Sequence, residues 1–333
     1  MEQFKVSVVI PVYKAEKFVR RAVEAANAEE EVGEIILVED CSPDDSLEVC
    51  RQLGSEYGKV KVMQHEDKKN HGCAASRNLG IQAAQFDFIA LADADNFYLP
   101  GRFKRDKEIF LNDPSIDGVY SMQGVFYYSD DARKNFFDNG LGGGEILSIT
   151  EPVVPEEFIY VMLGCHERSK MIGGLGIDAI TLRKRCFDAV GLFDTSLVLQ
   201  QDVHMFFRLA AKCRLASGQI DKPVALRGVH ETMRSTDAFA QARYRKMRWR
   251  SLKNWFEKEI DDKDILDAFN LSYANFIIRN ESKLVAFAKY ISYAFKNPKI
   301  LKEQYGFFDL NFFEIFGKNA ITCKLVSAKN KVF

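Results

Sequence analysis

Apolar residues fall into short blocks at even intervals along the first hundred positions. "KVSVVIPVY" (5–13) is a β-branched run with no polar face, the pattern of a central strand covered on both sides. Val19, Ala22, Val23 and Ala26 follow at i, i+3, i+4 and i+7, one face of a helix. "EIILVED" (34–40) predicts a second strand, and "SPDDSLEVC" opens a helix with cap-type residues and Pro43 near its first turn. "KVKVMQHE" (59–66) predicts a third strand, "GCAASRNLGIQAA" (72–84) a helix, and "FDFIALADAD" (86–95) a fourth strand. Alternation at this pitch implies an α/β fold, with a mostly parallel central sheet flanked by helices.

Farther along, "DGVYSMQGVFYY" (117–128) predicts a strand, "NGLGGGE" (139–145) a turn and "PEEFIYVMLG" (155–164) a helix. "DAITLRKRCFDAVGLFDTSL" (178–197) leads from a strand through a short helix to a turn at Gly191. In "LQQDVHMFFRLA" (199–210), Asp202 precedes Val203, Phe206, Phe207 and Ala210, the start of an amphipathic helix. Beyond about 237, glycine becomes rare and charged residues interleave with Phe, Tyr and Leu at helical spacing. The expected division is an α/β domain over 1–236, halved near residue 100, and a helical C-terminal extension over 237–333.

Charge and cysteine content narrow the partners. Lys plus Arg number 46 against 47 for Asp plus Glu, a net charge of −1, which argues against a chain devoted to nucleic acid. The seven cysteines never form a C-x-x-C pair, so neither a disulfide framework nor a zinc site is indicated. "MEQFKVSVVIPVY" enters a strand at once, without the pattern of a signal peptide. The apolar run "LVAFAKYISYAF" (284–295) is too short to span a membrane and carries Lys289. A cytoplasmic protein is expected, at most peripheral on a membrane, where the sequons at Asn270 and Asn280 carry no weight.

Functional groups in such sheets collect beyond the carboxyl ends of the strands. That rule selects Pro11–Tyr13, Asp40 and the Asp93–Ala94–Asp95 triplet. Two carboxylates one residue apart raise the cost of ionising each other. They belong either to a solvated loop or to a shared divalent cation, for which oxygen ligands favour Mg²⁺ or Mn²⁺. Other candidates have ordinary structural readings beside the functional ones. Asp40 can cap "CSPDDS", Arg77 can pair on an exposed helix face, and Asp202 can be an N-cap. His230 can be a packed or surface residue, and His65, His71 and His166 show no partner set. "GLGIDA" (174–179) fits G-x-G-x-x-A but lies too deep in the chain for dinucleotide binding, and no phosphate loop occurs.

The ordered set "VSVVIPVYKAEKFV", "EIILVEDCSPDDSLEV", "NHGCAASRNLGIQAA", "IALADADN", "GLFDTSL…QDVHMFFRLA" and "LRGVHETMRST" resembles the inverting glycosyltransferases of family 2. The resemblance covers about residues 5–236 and implies the GT-A nucleotide-sugar fold, with a nucleotide half and an acceptor half. It implies that Pro11, Val12 and Tyr13 line the base and that Asp40 accepts the uracil imide N–H. Gly72 would let the backbone approach the ligand, and Arg77 would donate near the nucleotide. Asp93 and Ala94 would contact the nucleotide-sugar, and Asp95 with His230 would bind the metal. Asp202 would be the general base, although this chain has Gln201 where the family usually has Glu. Arg227 and Arg234 would add phosphate contacts.

The resemblance thus implies transfer of a sugar, from a UDP-sugar by preference, to a glycan, a lipid-linked glycan or another hydroxyl acceptor, with Mn²⁺ or Mg²⁺, in cell-surface polysaccharide or glycoconjugate synthesis. Two rivals stand beside it. One is a sugar nucleotidyltransferase, whose Gly-rich basic signature is replaced here by "PVYKAEKF"; the other is a non-catalytic relative that binds nucleotide-sugar or glycan. "RKMRW" (245–249) is similar to the Q-x-x-R-W element of processive members but departs at the first position. The basic, aromatic stretch 243–256 reads as core packing with a solvated rim, as an interfacial membrane helix, or as a nucleic-acid patch, in that order. "FFDLNFFEIF" (307–316) would bury against the domain or form an oligomer contact.

Overall fold

The computed structural model describes residues 4–138, 148–166, 169, 174–231 and 238–279. The expected turn at 139–145, the apolar run at 284–295, Phe-rich 307–316, Arg234, Asn280 and the expected boundary at 236/237 lie outside the described residues. The described residues divide into two units, one within Met1–Ile159 and Met171–Leu252, the other within Tyr160–Lys170 and Lys253–Phe333.

The first unit begins with the expected alternation: β1 (Val6–Val12), α1 (Val19–Asn27), β2 (Val32–Glu39), α2 (Ser46–Glu56), β3 (Val60–Gln64), α3 (Cys73–Ala83) and β4 (Phe88–Leu91). It continues with β5 (Phe97–Tyr98), α4 (Lys104–Asn112), β6 (Gly118–Tyr120), β7 (Gln123–Tyr127), α5 (Asp130–Asp138) and α6 (Pro155–Met162), the last ending in the second unit. Then come β8 (Ile180–Arg183), α7 (Arg185–Val190), α8 (Gln201–Lys212), β9 (Leu215–Ser217) and β10 (Ala225–Val229). Helix α9 (Ala238–Glu259) continues into the second unit, which also holds α10 (Lys263–Arg279).

A seven-stranded sheet runs in the order β3-β2-β1-β4-β8-β6-β9. Its β3, β2, β1 and β4 are parallel neighbours, while β8 pairs antiparallel with both β4 and β6. Every residue of β1 is buried, as its uniform apolar text requires. Val8, Val9 and Ile10 have no exposed surface, and burial of such side chains contributes about 1.5–3 kcal/mol each. Helix α1 sends Val19, Ala22, Val23 and Ala26, the four positions picked out by their spacing, into the same core.

Two segments differ from their sequence pattern in ways that shape the site. The fourth strand stops at Leu91, so the Asp93–Ala94–Asp95 triplet occupies a turn beyond it, closed by Asn96 N–H donating to the Asp93 carbonyl at 3.0 Å. The single strand expected over 117–128 is two strands in two sheets. Its first part, β6, stays in the large sheet, and β7 pairs with β10 in a three-stranded sheet ordered β5-β10-β7. The break comes where Ser121 N–H turns to the Ala179 carbonyl and Met122 N–H to the Gln219 carbonyl. Both halves are apolar, so hydropathy alone does not mark the change of sheet. The small sheet stands over the triplet and brings the end of β10 to it.

Candidate active site

Helix α3 begins at Gly72, whose φ of 86° is the left-handed conformation that glycine adopts without a steric penalty. The turn before it is tied to the end of β2 by Asp40, a buried carboxylate. Asp40 accepts the His71 N–H and the Gly72 N–H, each at 2.8 Å, and the Asn70 side-chain amide at 2.9 Å. Its hydrogen-bond partners are therefore in the 70–72 turn, with His65 Nε2 3.6 Å from its Oδ1, and not in "CSPDDS"; Glu39 takes that local role by accepting the Ser42 N–H at 2.6 Å. A carboxylate has about four acceptor positions, and three are filled here. Tyr13 is half-buried just past β1, while Pro11 and Val12 are buried within it.

Histidines read as lacking partners stand at the same turn. His65 Nε2 lies 3.1 Å from Ser76 Oγ, His71 Nε2 lies 2.8 Å from Asp67, and the two rings are 4.4 Å apart.

Arg77, on α3, is only 3% exposed, which removes the reading of a pair on an open helix face. Its Nη2 donates to Asp93 Oδ1 at 2.5 Å, and its Nε and Nη1 are buried without a hydrogen-bond partner. Burial alone would lower its pKa, but the charges of Cys73, Asp93 and Asp202 outweigh that and hold it above the usual value. Arg77 is thus the buried cation paired with the triplet. Asn78, its neighbour, exchanges two hydrogen bonds with the backbone of Phe193, at 2.9 and 2.8 Å, and so fastens the segment before α8 to α3.

The turn carrying Asp93 and Asp95 is built on residues that the sequence reading passed over. Asp178, inside the dismissed "GLGIDA", is 1% exposed and accepts the Asp93 N–H at 2.8 Å. It also accepts the side-chain amides of Asn96 at 2.7 Å and Gln123 at 2.5 Å. Burial, and then the nearby charges of Asp93 and Asp95, push its pKa up to about 7 against these hydrogen bonds. Asn96 uses its other end to accept the Gly228 N–H at 2.8 Å, which locks the turn to β10. A Cβ on Gly228 would lie 2.1 Å from the Asp95 carbonyl oxygen, so only glycine permits this approach. Tyr128 Oη donates to that same carbonyl at 3.1 Å.

This scaffold places His230, the first residue after β10, with Nε2 3.0 Å from Asp95 Oδ2. The imidazole stacks on Phe18 with centroids 4.6 Å apart. Asp93 and Asp95 keep 37% and 30% of their side-chain surface, so both reach solvent from a buried base. Ala94 is buried between them, and Arg227 is half-buried on β10. Among the described residues no three His, Cys, Asp or Glu side chains form a ready cage for a metal. The Asp95–His230 pair offers two donors on one side, which suits a cation completed by substrate phosphates and not one held by protein alone.

Asp202 is the second residue of α8 and is half-buried. It is not the N-cap; that position is Gln200, with φ 67°. Asp202 Oδ1 accepts the N–H of adjacent Val203 at 2.8 Å. Gln201 beside it is buried, and its Oε1 has no hydrogen-bond partner.

The fold and the carboxylates gathered at its strand ends define a GT-A-type domain. Residues 7–138 match the family described as "Glycosyl transferase family 2". It is 37% identical over 97 residues to the "Succinoglycan biosynthesis protein ExoU" of Rhizobium meliloti, covering 29% of this chain and 28% of that relative. Such short alignments span 20% to 42% of the relatives' own length. A longer one, 21% identical, covers 89% of this chain and 92% of an "Uncharacterized glycosyltransferase" of Haemophilus influenzae. Among solved structures, S. aureus TarS 1-349 superposes with a TM-score of 0.59 at 17% identity, over 84% of this chain and 74% of that one. The same TarS fragment crystallised with UDP-GlcNAc gives a TM-score of 0.59 at 17% identity, over 83% and 72%.

Proposed function

We propose that the protein is an inverting glycosyltransferase that takes a sugar from a UDP-sugar and delivers it to a hydroxyl of a glycan or lipid-linked glycan. The observation that carries the reading is the turn beyond β4, where Arg77 holds Asp93 and His230 Nε2 lies 3.0 Å from Asp95. The likeness to a succinoglycan biosynthesis protein and the UDP-GlcNAc complex of TarS support a nucleotide-sugar donor and a polysaccharide context.

Asp40, with three acceptor positions filled, has one left for the imide N–H of uracil. The open face of Gly72 lets the ligand come close to the backbone, and Tyr13 offers an aromatic side for the base. Asp95 and His230 would hold Mn²⁺ or Mg²⁺, which when bound supplies positive charge to the departing diphosphate. Asp93, fixed by Arg77 and Asp178, faces the ribose and diphosphate side. Asp202 removes the proton from the acceptor hydroxyl as that oxygen bonds to the anomeric carbon from the face opposite the leaving group. The bond from that carbon to the diphosphate oxygen breaks in the same displacement, and the configuration inverts.

The test is thermal unfolding with UDP, GDP and dTDP, each with and without Mn²⁺. A ligand at a hundred times its dissociation constant adds about 2.7 kcal/mol of stability. A Mn²⁺-dependent rise with UDP, lost in Asp95→Ala, is expected. No rise with any nucleotide would overturn the donor assignment and turn attention to a binding-only relative.

A further inference from the structure

Gln200 is one of four non-glycine residues with positive φ among the described positions, and it stands two residues before Asp202. Left-handed backbone is uncommon for a residue with a long side chain, and an outlier of this kind is held only when its surroundings over-determine it. Here the holding groups are visible. The Gln200 carbonyl accepts the His204 N–H at 3.0 Å, the first turn of α8. Its side chain does not cap the helix. Instead Oε1 accepts Arg248 Nη1 at 2.6 Å, and Nε2 donates to Gln241 Oε1 at 2.6 Å.

Both partners are on α9, within the part that belongs to the first unit. That part is fastened beside α8 at two further points. Ser251 Oγ donates to Asp194 Oδ2 at 2.7 Å, and Trp249 packs on Phe207 with centroids 5.5 Å apart. Arg248 is 8% exposed and lies over the rings of Phe207 and Trp249. A guanidinium in such a place is costly unless it meets a specific acceptor. Burial, and then Arg245, bring its pKa down to about 10, while Asp202 works in the opposite direction. Arg248 therefore stays protonated at neutral pH, within electrostatic reach of Asp202.

We propose that Arg248 is a positioning residue for Asp202, holding the left-handed turn at Gln200 from which α8 starts and so aiming the carboxylate two residues on. The inference rests on the reading of Asp202 as the base, and it gives the conspicuous basic stretch an inward task. Its arginine at 248 faces the start of the catalytic helix, and Trp249 of "RKMRW" is core, 6% exposed. Without the clamp, Gln200 would relax toward right-handed or extended backbone and turn the first residues of α8 with it.

The experiment has two arms, on the full chain carrying Arg248→Met, Arg248→Lys, Gln200→Ala or Gln200→Glu. In the first, hydrogen–deuterium exchange is followed in a peptide covering 198–206, which needs no substrate. Exchange there is expected to quicken at least fivefold in Arg248→Met and Gln200→Ala, with peptides from α3 and β1 unchanged. Gln200→Glu, which keeps an acceptor for Arg248, should exchange like the parent. Parent-like exchange in Arg248→Met and Gln200→Ala would overturn the clamp, and Gln200→Ala carries the test by itself should Arg248→Met fail to fold.

The second arm follows UDP release from UDP-GlcNAc. A drop in kcat of about tenfold or more is expected for Arg248→Met, with KM within twofold, partial recovery in Arg248→Lys, and no further loss when Arg248→Met is added to Asp202→Asn. A full additional loss in the Asp202→Asn background would show that Arg248 does not act through Asp202. Undiminished turnover in Asp202→Asn alone would remove the base assignment, while the exchange arm would still decide whether the clamp exists.

Discussion

The turn at Asp93–Asp95 and the start of α8 at Asp202 both carry carboxylates, yet their foundations differ. Beneath the triplet the polar atoms are matched: Asp178 takes three N–H groups, and Asn96 gives to one side and accepts from the other. Around α8 they are not. Gln201 Oε1, both ring nitrogens of His204 and Arg248 Nε are buried without a hydrogen-bond partner, each at a cost of about 1–3 kcal/mol. On the triplet's side Arg77 leaves two donors unmatched. A matched network of this kind holds its groups rigidly. The α8 side is held by the hydrogen bonds of Gln200 to Arg248 and Gln241 and by ring packing, with unmatched polar atoms left among them.

The sharpest way to break this contrast is Asp202→Asn. Turnover should fall by about 10²–10⁴-fold, the usual worth of a general base, with Mn²⁺-dependent UDP binding kept. Isothermal titration beside a UDP-release assay reads both, and loss of UDP binding would erase the division of labour. Gly228→Ala is the counterpart on the triplet's side. Its Cβ must push the Asp95 carbonyl away, costing about 1–3 kcal/mol of stability, and UDP–Mn²⁺ stabilisation should vanish with it. A variant that melts and binds UDP like the parent would show that the β10 contact does not set the Asp95–His230 pair.

The smallest effect concerns His204. Burial, and then Arg208, pull its pKa down to about 3, below the 6.5 of an ordinary histidine. The unfolded chain therefore takes up the proton first. The stability is intact above pH 6.5 and is lost as pH falls below it toward 3. Between pH 6.5 and 4.5 this one group should cost about 2 kcal/mol. His204→Met should flatten that acid limb and raise the melting temperature at neutral pH, as chemical denaturation across pH would show. An unchanged limb would mean that the ring finds a partner on the α8 side after all.

Much of the donor side was legible because its signals are local. A β-branched run ending in a carboxylate, and Gly72 where a helix must start from positive φ, can be read from a few neighbouring residues. Asp93, Asp95 and His230 were named from motifs, and the structure brings Asp95 and His230 within 3.0 Å. Asp178 was passed over because its sequence context offers only a false glycine pattern. Its role comes from Asn96 and Asp93, more than eighty residues away. Arg77 was named as a donor near the nucleotide, with a pair on an open helix face as the alternative; its burial was not legible, since an arginine inside an alternating helix carries no mark of it.

By itself the sequence determined the order of strands and helices over the first ninety residues and the carboxylates at the strand ends, because hydrophobic period and strand-end chemistry are short-range properties. Tertiary structure alone decided that 117–128 divides between two sheets, that Asp178 and Asn96 support the triplet, and that Arg248 reaches Gln200. Each of these depends on which distant backbone arrives to accept or donate a hydrogen bond. A buried polar side chain is defined by the partner that it finds, and that partner lies outside any window of sequence read along the chain.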